Sequence, residues 1–157
     1  MLINPALGPQ IYLGKIITTL TLKPDEPISA DCGNCKRCVE ACPTGALRTD
    51  CQLDAGKCIS YLTMQHQNEI SPDLAEKMGD RLFGCDECVL VCPYRKNAPI
   101  CANKQFKFYP HRAKLNLNEI LTLTNDEFEA EFADSVIRHS GLERLKRNAQ
   151  ICLANLG

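Results

Sequence analysis

Residues 32–43 are Cys32-Gly33-Asn34-Cys35-Lys36-Arg37-Cys38-Val39-Glu40-Ala41-Cys42-Pro43. The spacing C-x2-C-x2-C-x3-C-P is typical of the run that holds [4Fe–4S] clusters in bacterial electron carriers. Three thiolates spaced in this way can bind three irons of one cubane, and the proline turns the chain away after the fourth. In proteins with two clusters, that fourth cysteine ligates the other cluster. The run therefore predicts one cluster site and a ligand donated to a second.

A second motif, at residues 85–93, repeats the last three cysteines of the first. It is Cys85-Asp86-Glu87-Cys88-Val89-Leu90-Val91-Cys92-Pro93, and the missing first cysteine would fall at Leu82. The second cluster therefore needs a ligand from elsewhere, for which Cys58 is the first choice and Cys51 the fallback. The predicted assignment is crossed, so folding should depend on the metal. Cluster one takes Cys32, Cys35, Cys38 and Cys92, and cluster two takes Cys42, Cys58, Cys85 and Cys88.

Two other kinds of metal site are alternatives to this assignment. Zinc also binds pairs of cysteines, but it does not explain a third cysteine two residues further on or two C-x3-C-P endings. A [3Fe–4S] second cluster, with Cys58 not ligating, is the other alternative. Of the remaining cysteines, Cys152 is expected in the core, whereas Cys51 and Cys101 are expected to be incidental thiols.

The cysteine count also indicates the compartment. Eleven cysteines in 157 residues, an odd number without a secretory signal at the start, argue against a disulfide scaffold. No apolar run reaches the length of a membrane span. These features predict a cytoplasmic protein with no membrane partner. The formal net charge of −1 predicts no partner by itself.

The expected fold class is α+β. Residues 10–22 are rich in β-branched side chains and predict a strand, which would need partners in a larger sheet. Asp54 is expected to cap a helix running through Cys58 to about His66, and Ser71 to cap another. Capping boxes are predicted at Thr124 and Ser140. The last helix should bury an apolar face made of Leu142, Leu145, Ala149, Cys152 and Leu153.

Charge is distributed unevenly after the second motif. Residues 89–118 carry Lys and Arg but no acid, together with several aromatic residues, and residues 119–134 carry acids but no Lys or Arg. The acidic stretch is expected to form solvated helix faces. The histidines His66, His111 and His139 are expected to be structural or at the surface. For four cations of the last helices, a binding surface and an ordinary solvated face are equally good interpretations: Arg138, Arg144, Lys146 and Arg147.

Several segments, taken in order, are similar to those of one enzyme family. They are Leu2-Ile3-Asn4-Pro5 with Tyr12-Leu13-Gly14-Lys15-Ile16, Cys42-Pro43-Thr44-Gly45-Ala46-Leu47, Lys57-Cys58-Ile59-Ser60-Tyr61-Leu62-Thr63, Gly79-Asp80-Arg81-Leu82-Phe83-Gly84-Cys85-Asp86, and Gly141-Leu142 with Arg147-Asn148-Ala149. With them, the chain resembles the C-terminal half of the epoxyqueuosine reductases, cobalamin-dependent enzymes of tRNA queuosine modification. Tyr94-Arg95 departs from the family's usual tryptophan and asparagine. By this resemblance, the family's cobalamin domain is absent except for its apparent last strands, and no residue here corresponds to the aspartate proposed as its proton donor.

The resemblance implies an organisation and a role. Residues 1–27 would be the end of a cobalamin domain and a linker, 28–100 a ferredoxin-like domain with two [4Fe–4S] clusters, and 101–157 a basic loop with a HEAT-like helical subdomain. Electrons from a ferredoxin- or flavodoxin-type donor would pass through the clusters to cobalamin, which a separate N-terminal half could supply, to reduce epoxyqueuosine to queuosine in tRNA.

The segment from Tyr94 to Lys114, here called the basic tract, suits a tRNA anticodon loop, because cations neutralise phosphates and aromatic rings stack on splayed bases. The candidate tRNA-binding residues are Arg95, Lys96, Lys104, Lys107, Arg112 and Lys114. The plainer interpretation is a solvated loop that packs on the cluster domain. For the whole chain, the alternatives are a free-standing two-cluster ferredoxin-type electron carrier and, less well supported by the long basic and helical tail, a relative of the reductive dehalogenases.

Overall fold

A computed structural model describes residues 1–50 and 52–157, and helices account for its regular structure. Three 3-10 turns, Ala55–Lys57, Pro93–Asn97 and Pro110–Arg112, lie between the α-helices. The α-helices are α1 (Arg37–Glu40), α2 (Ile59–Met64), α3 (Pro72–Met78), α4 (Glu87–Leu90), α5 (Leu117–Thr122), α6 (Asn125–Phe132), α7 (Val136–Ser140) and α8 (Leu142–Leu156). Within the described ranges, none of the helices combines the length and hydropathy that a membrane span requires.

The main hydrophobic core lies between the C-terminal helices. Helix α8 packs along α5 and also contacts α2 and α3, which precede the second cysteine motif along the chain. The prediction that one face of α8 is buried is confirmed for Leu142, Leu145, Ala149 and Cys152, whereas Leu153 is only partly buried. The buried members of the core cluster are Ile120, Phe128, Phe132, Leu142, Leu145 and Ala149.

The predicted strand over residues 10–22 is wrong. This segment has no regular structure, and its apolar side chains are exposed, with Tyr12 at 95% and Ile16 at 92% of full accessibility. In the described part of the chain, β structure is confined to two isolated bridges, Asn4 with Gly8 and Leu47 with Leu53. A β-branched segment needs partner strands for its backbone groups, and none lies beside it among these residues. The α+β prediction therefore fails in its leading β segment.

Two helix starts differ from the prediction. The helix expected from Asp54 is interrupted at Cys58, whose backbone is extended (φ −70°, ψ 118°), so Cys58 precedes α2 instead of lying inside it. Gly56, a poor helix former, lies just before this break. The capping box at Ser140 does not form, because Ser140 ends α7 and donates its hydroxyl to the Met64 carbonyl.

Other predicted starts agree with the structure. Thr124 and Glu127 form the expected reciprocal capping box at the start of α6. Helix α3 begins at Pro72 after Ser71, although the Ser71 side chain makes no capping hydrogen bond. Helix α8 begins at Leu142, directly after Gly141, whose φ of +83° lies in the left-handed region where glycine is favoured. The predicted boundaries at residues 27 and 100 stay predictions.

Candidate metal centre

The first cysteine-lined cavity has a volume of about 240 Å³. Four cysteines face it, and they come from both motifs. Apolar atoms of Ile3, Pro93 and Tyr94 close part of its wall. The cysteines are Cys32, Cys35, Cys38 and Cys92. The structure therefore brings together the four residues predicted for cluster one.

A second cavity, of about 230 Å³, is lined by the other four predicted ligands. They are Cys42, Cys58, Cys85 and Cys88. Apolar residues such as Leu47 and Ile59 surround these thiols. Each cavity thus contains the last cysteine of the opposite motif, and the second cavity also contains Cys58 from outside both motifs, as the crossed pattern requires.

The local backbone explains how each motif presents its thiols. A turn closes with the Cys35 N–H donating to the Cys32 carbonyl at 3.0 Å, and α1 then carries Cys38. The second motif repeats this geometry, since α4 carries Cys88. Helices α1 and α4 pack against each other, which places the two motif ends side by side.

Electrostatics differ among the thiols. Burial and the neighbouring sulfurs of Cys35, Cys38 and Cys92 raise the pKa of Cys32. Burial also raises the pKa values of Cys85 and Cys88. For Cys42, partial burial acts in the same direction but is outweighed by hydrogen bonds from the Leu47, Thr44 and Ala46 backbones and the Thr44 hydroxyl, so its pKa is lowered.

The remaining cysteines lie apart from these cavities or outside the description. Cys152 is fully buried on α8, as predicted, and burial raises its pKa to about 11. Cys101 is exposed. The fallback ligand Cys51 lies outside the described residues. Across residues 1–50 and 52–157, no group of three or more His, Cys, Asp or Glu side chains is arranged to hold a single metal ion.

The basic tract contains five exposed cations, for which no ion pair is seen among the described residues, and one paired cation. Arg95, Lys96, Lys104, Lys107 and Lys114 are exposed, as are the rings of Phe106 and Phe108. Arg112 is different, because its side chain is only 16% exposed and pairs with Glu131 at 3.1 Å and Asp134 at 2.7 Å. Its guanidinium also lies over the Tyr109 ring, 4.1 Å from the centroid.

The acids of α6 and of the residues after it stay largely exposed to solvent, as predicted, but several of them also pair with arginines. Glu131 and Asp134 hold Arg112, and Glu129 pairs with Arg138 at 2.6 Å. Tyr109 donates its hydroxyl to Asp134. Hydrogen bonds from Tyr109 and Arg112 lower the pKa of Asp134 from 3.8 to about 2.

The histidines and the terminal arginines are mostly structural. His66 contacts the Glu69 carbonyl, His111 contacts the Glu131 carboxylate, and His139 is exposed. Arg144 and Arg147 direct their guanidinium groups to backbone carbonyls. Arg147 donates to the carbonyls of Leu62, His66 and Asn68, all at 2.9 Å or less, and Arg144 donates to those of Met64 and His66.

The sequence did not predict the role of two buried polar residues, Thr63 on α2 and Asn148 on α8. Both are 0% exposed, and they join the two helices because the Asn148 amide donates to the Thr63 carbonyl at 2.9 Å. The only sequence signal was the presence of an asparagine between two buried positions of an amphipathic helix. This signal does not show which backbone groups the side chain contacts.

Comparison with known proteins also indicates an iron–sulfur domain. Residues 31–95 match the family model of the 4Fe-4S double cluster binding domain. The chain is 38% identical to an epoxyqueuosine reductase of Francisella cf. novicida (strain Fx1), covering 99% of this chain and 44% of that protein. It is 40% identical to an uncharacterized protein in the gldA 3' region of Geobacillus stearothermophilus, covering 94% of this chain and 68% of that one.

A solved structure agrees with the sequence relatives. An epoxyqueuosine reductase with an epoxyqueuosine-modified tRNA-Tyr stem loop superposes with a TM-score of 0.79 at 38% identity, over 85% of this chain and 35% of that one. The domain match defines a double-cluster iron–sulfur protein. Over nearly its whole length, the chain matches the C-terminal iron–sulfur region of the epoxyqueuosine reductases. It spans about two fifths of the length of the first epoxyqueuosine reductases it matches, 44% and 40%.

Proposed function

We propose that this chain is the electron-transfer portion of an epoxyqueuosine reductase and holds two [4Fe–4S] clusters with crossed ligands. The observation that carries the proposal is the exchange of Cys42 and Cys92 between the two cavities. Such an exchange is the arrangement by which two-cluster ferredoxins share their fourth cysteine. The ligands are Cys32, Cys35, Cys38 and Cys92 for cluster one, and Cys42, Cys58, Cys85 and Cys88 for cluster two.

The residues present fit such clusters. Thiolates are the soft donors that iron–sulfur clusters take, and each cavity has room for a group larger than one ion. When bound, the clusters supply one-electron transfer. The protein contributes a hydrogen bond from the Ala46 N–H to the Cys42 sulfur at 3.2 Å. That bond stabilises negative charge on the sulfur, which favours the reduced state.

Cobalamin is proposed as the electron acceptor, but this chain contributes no residue that we assign to it. Its binding would fall to the rest of a longer polypeptide or to a separate N-terminal half, and the electron donor would be a ferredoxin or flavodoxin. We also propose a ferredoxin-like arrangement of the cluster region, HEAT-like packing of the C-terminal helices, and a cytoplasmic location, where thiols stay reduced.

For the substrate, we propose that the free cations of the basic tract contact tRNA. Five exposed cations are available, and Phe106 and Phe108 offer exposed rings that can stack on unpaired bases. Arg112 serves differently, since its charge is already neutralised by two carboxylates. We therefore assign it to holding the tract, leaving Arg95, Lys96, Lys104, Lys107 and Lys114 as contacts.

The test is complementation in a bacterium that lacks its own epoxyqueuosine reductase. The chain would be expressed alone and with a cobalamin-binding half of a relative, and digested tRNA would be analysed by mass spectrometry for epoxyqueuosine and queuosine. We expect queuosine when both are present, and its loss with Cys92→Ala in the same pair. Persistent epoxyqueuosine with both parts soluble and iron-loaded would contradict the proposal and favour the free-standing electron carrier.

A further inference from the structure

Two ligands of the proposed second cluster lie outside the regular C-x2-C spacing of the first motif. Cys58 precedes α2, and Cys85 lies in the loop between α3 and α4, so helices α2 and α3 separate the two along the chain. Nothing in their spacing fixes their separation in space. A tertiary contact between the two segments must therefore supply it.

The Thr63 hydroxyl is that contact. It donates to the Ile59 carbonyl at 2.7 Å and accepts a hydrogen bond from the Gly84 N–H at 2.9 Å. Ile59 follows Cys58 directly, and Gly84 precedes Cys85 directly. Thr63 is 0% exposed, so water does not compete for either bond. One side chain thus joins the backbones immediately next to two proposed ligands.

Asn148 fixes the same junction from α8. Its amide nitrogen donates to the carbonyls of Thr63 at 2.9 Å and Leu82 at 3.0 Å, one on each segment. Its oxygen accepts from the Arg147 guanidinium at 2.9 Å. These hydrogen bonds are all made to other protein groups, and the Asn148 side chain is 0% exposed. A buried and fully paired network of this kind specifies one arrangement of the segments it joins.

We propose that Thr63, supported by Asn148, is a positioning residue that sets the distance between Cys58 and Cys85 for the second cluster. The proposal rests on the proposed function, because it presumes two clusters with these ligands. Neither residue touches the cluster cavity, so each acts through the backbone of a ligand segment. The first cluster draws no ligand from these segments and should not depend on them.

The test compares Thr63→Val, which keeps the side-chain shape but removes the hydroxyl, with Thr63→Ser, which keeps the hydroxyl. Asn155→Ala is the matched control, because Asn155 also donates from α8 to backbone carbonyls, those of Ala75 and Gly79, but away from both ligands. Each protein would be reconstituted anaerobically, and its iron content and the electron paramagnetic resonance of its reduced form would be measured. Reference spectra come from Cys35→Ala, which lacks a first-cluster ligand, and Cys88→Ala, which lacks a second-cluster ligand.

We expect Thr63→Val to lose about half of its iron, from about eight to about four atoms per chain, and to give the Cys88→Ala spectrum. Thr63→Ser and Asn155→Ala should keep both clusters. Full iron in Thr63→Val, loss of both clusters in it, or equal loss in Thr63→Ser would overturn the proposal. A wild-type chain that itself binds fewer than two clusters would instead refute the proposed function.

Discussion

Cys42 and Cys92 are exchanged between the two cysteine-lined cavities: Cys92 lines the cavity of the first motif, and Cys42 lines that of Cys58, Cys85 and Cys88. The exchange links the two motifs, so each cluster should need cysteines from both motifs. We expect Cys92→Ala and Cys42→Ala each to lose about half of the iron, but to retain different clusters. Reduced-state spectra should separate the two variants, with Cys101→Ala as the unaffected control. Identical spectra from the two variants would contradict the crossed assignment.

A second prediction concerns the extra ligand. Cys58 lines the second cavity, whereas Cys51 lies outside the described residues. Cys58→Ala should therefore convert the second cluster to a three-iron form or abolish it, because one iron loses its thiolate. Cys51→Ala should leave the iron content unchanged. Iron analysis and the spectrum of the oxidised protein distinguish these outcomes, and an effect of Cys51→Ala alone would reverse the assignment.

Arg147 on α8 should be required for stability, because its guanidinium donates to the Leu62 carbonyl of α2 and to the His66 and Asn68 carbonyls that follow this helix. Charged hydrogen bonds of this kind contribute about 2 kcal/mol, so Arg147→Ala should lower the melting temperature by roughly 4–8 °C. Lysine should not restore it, since one ammonium cannot reach carbonyls that a planar guanidinium spans. Lys146→Ala on the same helix is the control, with an expected change within about 0.5 kcal/mol. Equal melting temperatures for the two alanine variants would argue against this role.

Arg112 should attach the basic tract to the C-terminal end of α6, through its ion pairs with Glu131 and Asp134. Removing it with Arg112→Ala leaves Tyr109, Glu131 and Asp134 without their shared cation, so trypsin should cleave after Lys104 and Lys107 several-fold faster. Arg138→Ala removes one exposed pair with Glu129 and should not change this cleavage. Cleavage at the wild-type rate in Arg112→Ala would show that the tract is held elsewhere.

The same contact should be insensitive to pH in the physiological range. The pKa of Asp134 is depressed from 3.8 to about 2 in the folded chain. Its contribution is therefore present above about pH 3.8 and is lost as the pH falls through about 2. Hydrogen exchange of the backbone amides of residues 104–112 should give the same protection factors at pH 8 and pH 5. Loss of protection already at pH 5 would refute the ionic anchor.

For RNA contact, the salt dependence of binding distinguishes free from paired cations. Lys104→Ala and Lys107→Ala should each reduce the slope of log affinity against log salt by about one, because each removes one phosphate contact. Lys57→Ala is a surface control, since Lys57 pairs with Asp54 at 3.5 Å. Fluorescence anisotropy with an anticodon stem loop measures the slopes. Unchanged slopes in both tract variants would exclude these lysines as phosphate contacts.

The cysteine sites could be predicted because short spacings encode local geometry. In Cys32 to Cys42, turns and a one-turn helix follow from cysteines with two or three residues between them, and the C-x3-C-P ending recurs at Cys92. Buried positions of α8 followed from helical periodicity for the same reason. The choice of Cys58 over Cys51 needed the family resemblance as well.

The remaining features depended on tertiary contacts. Residues 10–22 have strand composition, but a strand forms only beside a partner, and none lies beside this segment among the described residues. Arg144 and Arg147 lie at positions that an amphipathic pattern assigns to a polar face. Their inward hydrogen bonds arise because the end of α2 presents unpaired carbonyls there, which the sequence of α8 alone does not reveal.

The most direct test of two crossed clusters is iron and sulfide analysis of the anaerobically reconstituted chain, combined with electron paramagnetic resonance of its fully reduced form. The account predicts about eight irons and eight sulfides per chain and a spectrum broadened by interaction between two neighbouring clusters. About four irons with the signal of one isolated cluster, or tightly bound zinc without sulfide, would contradict it.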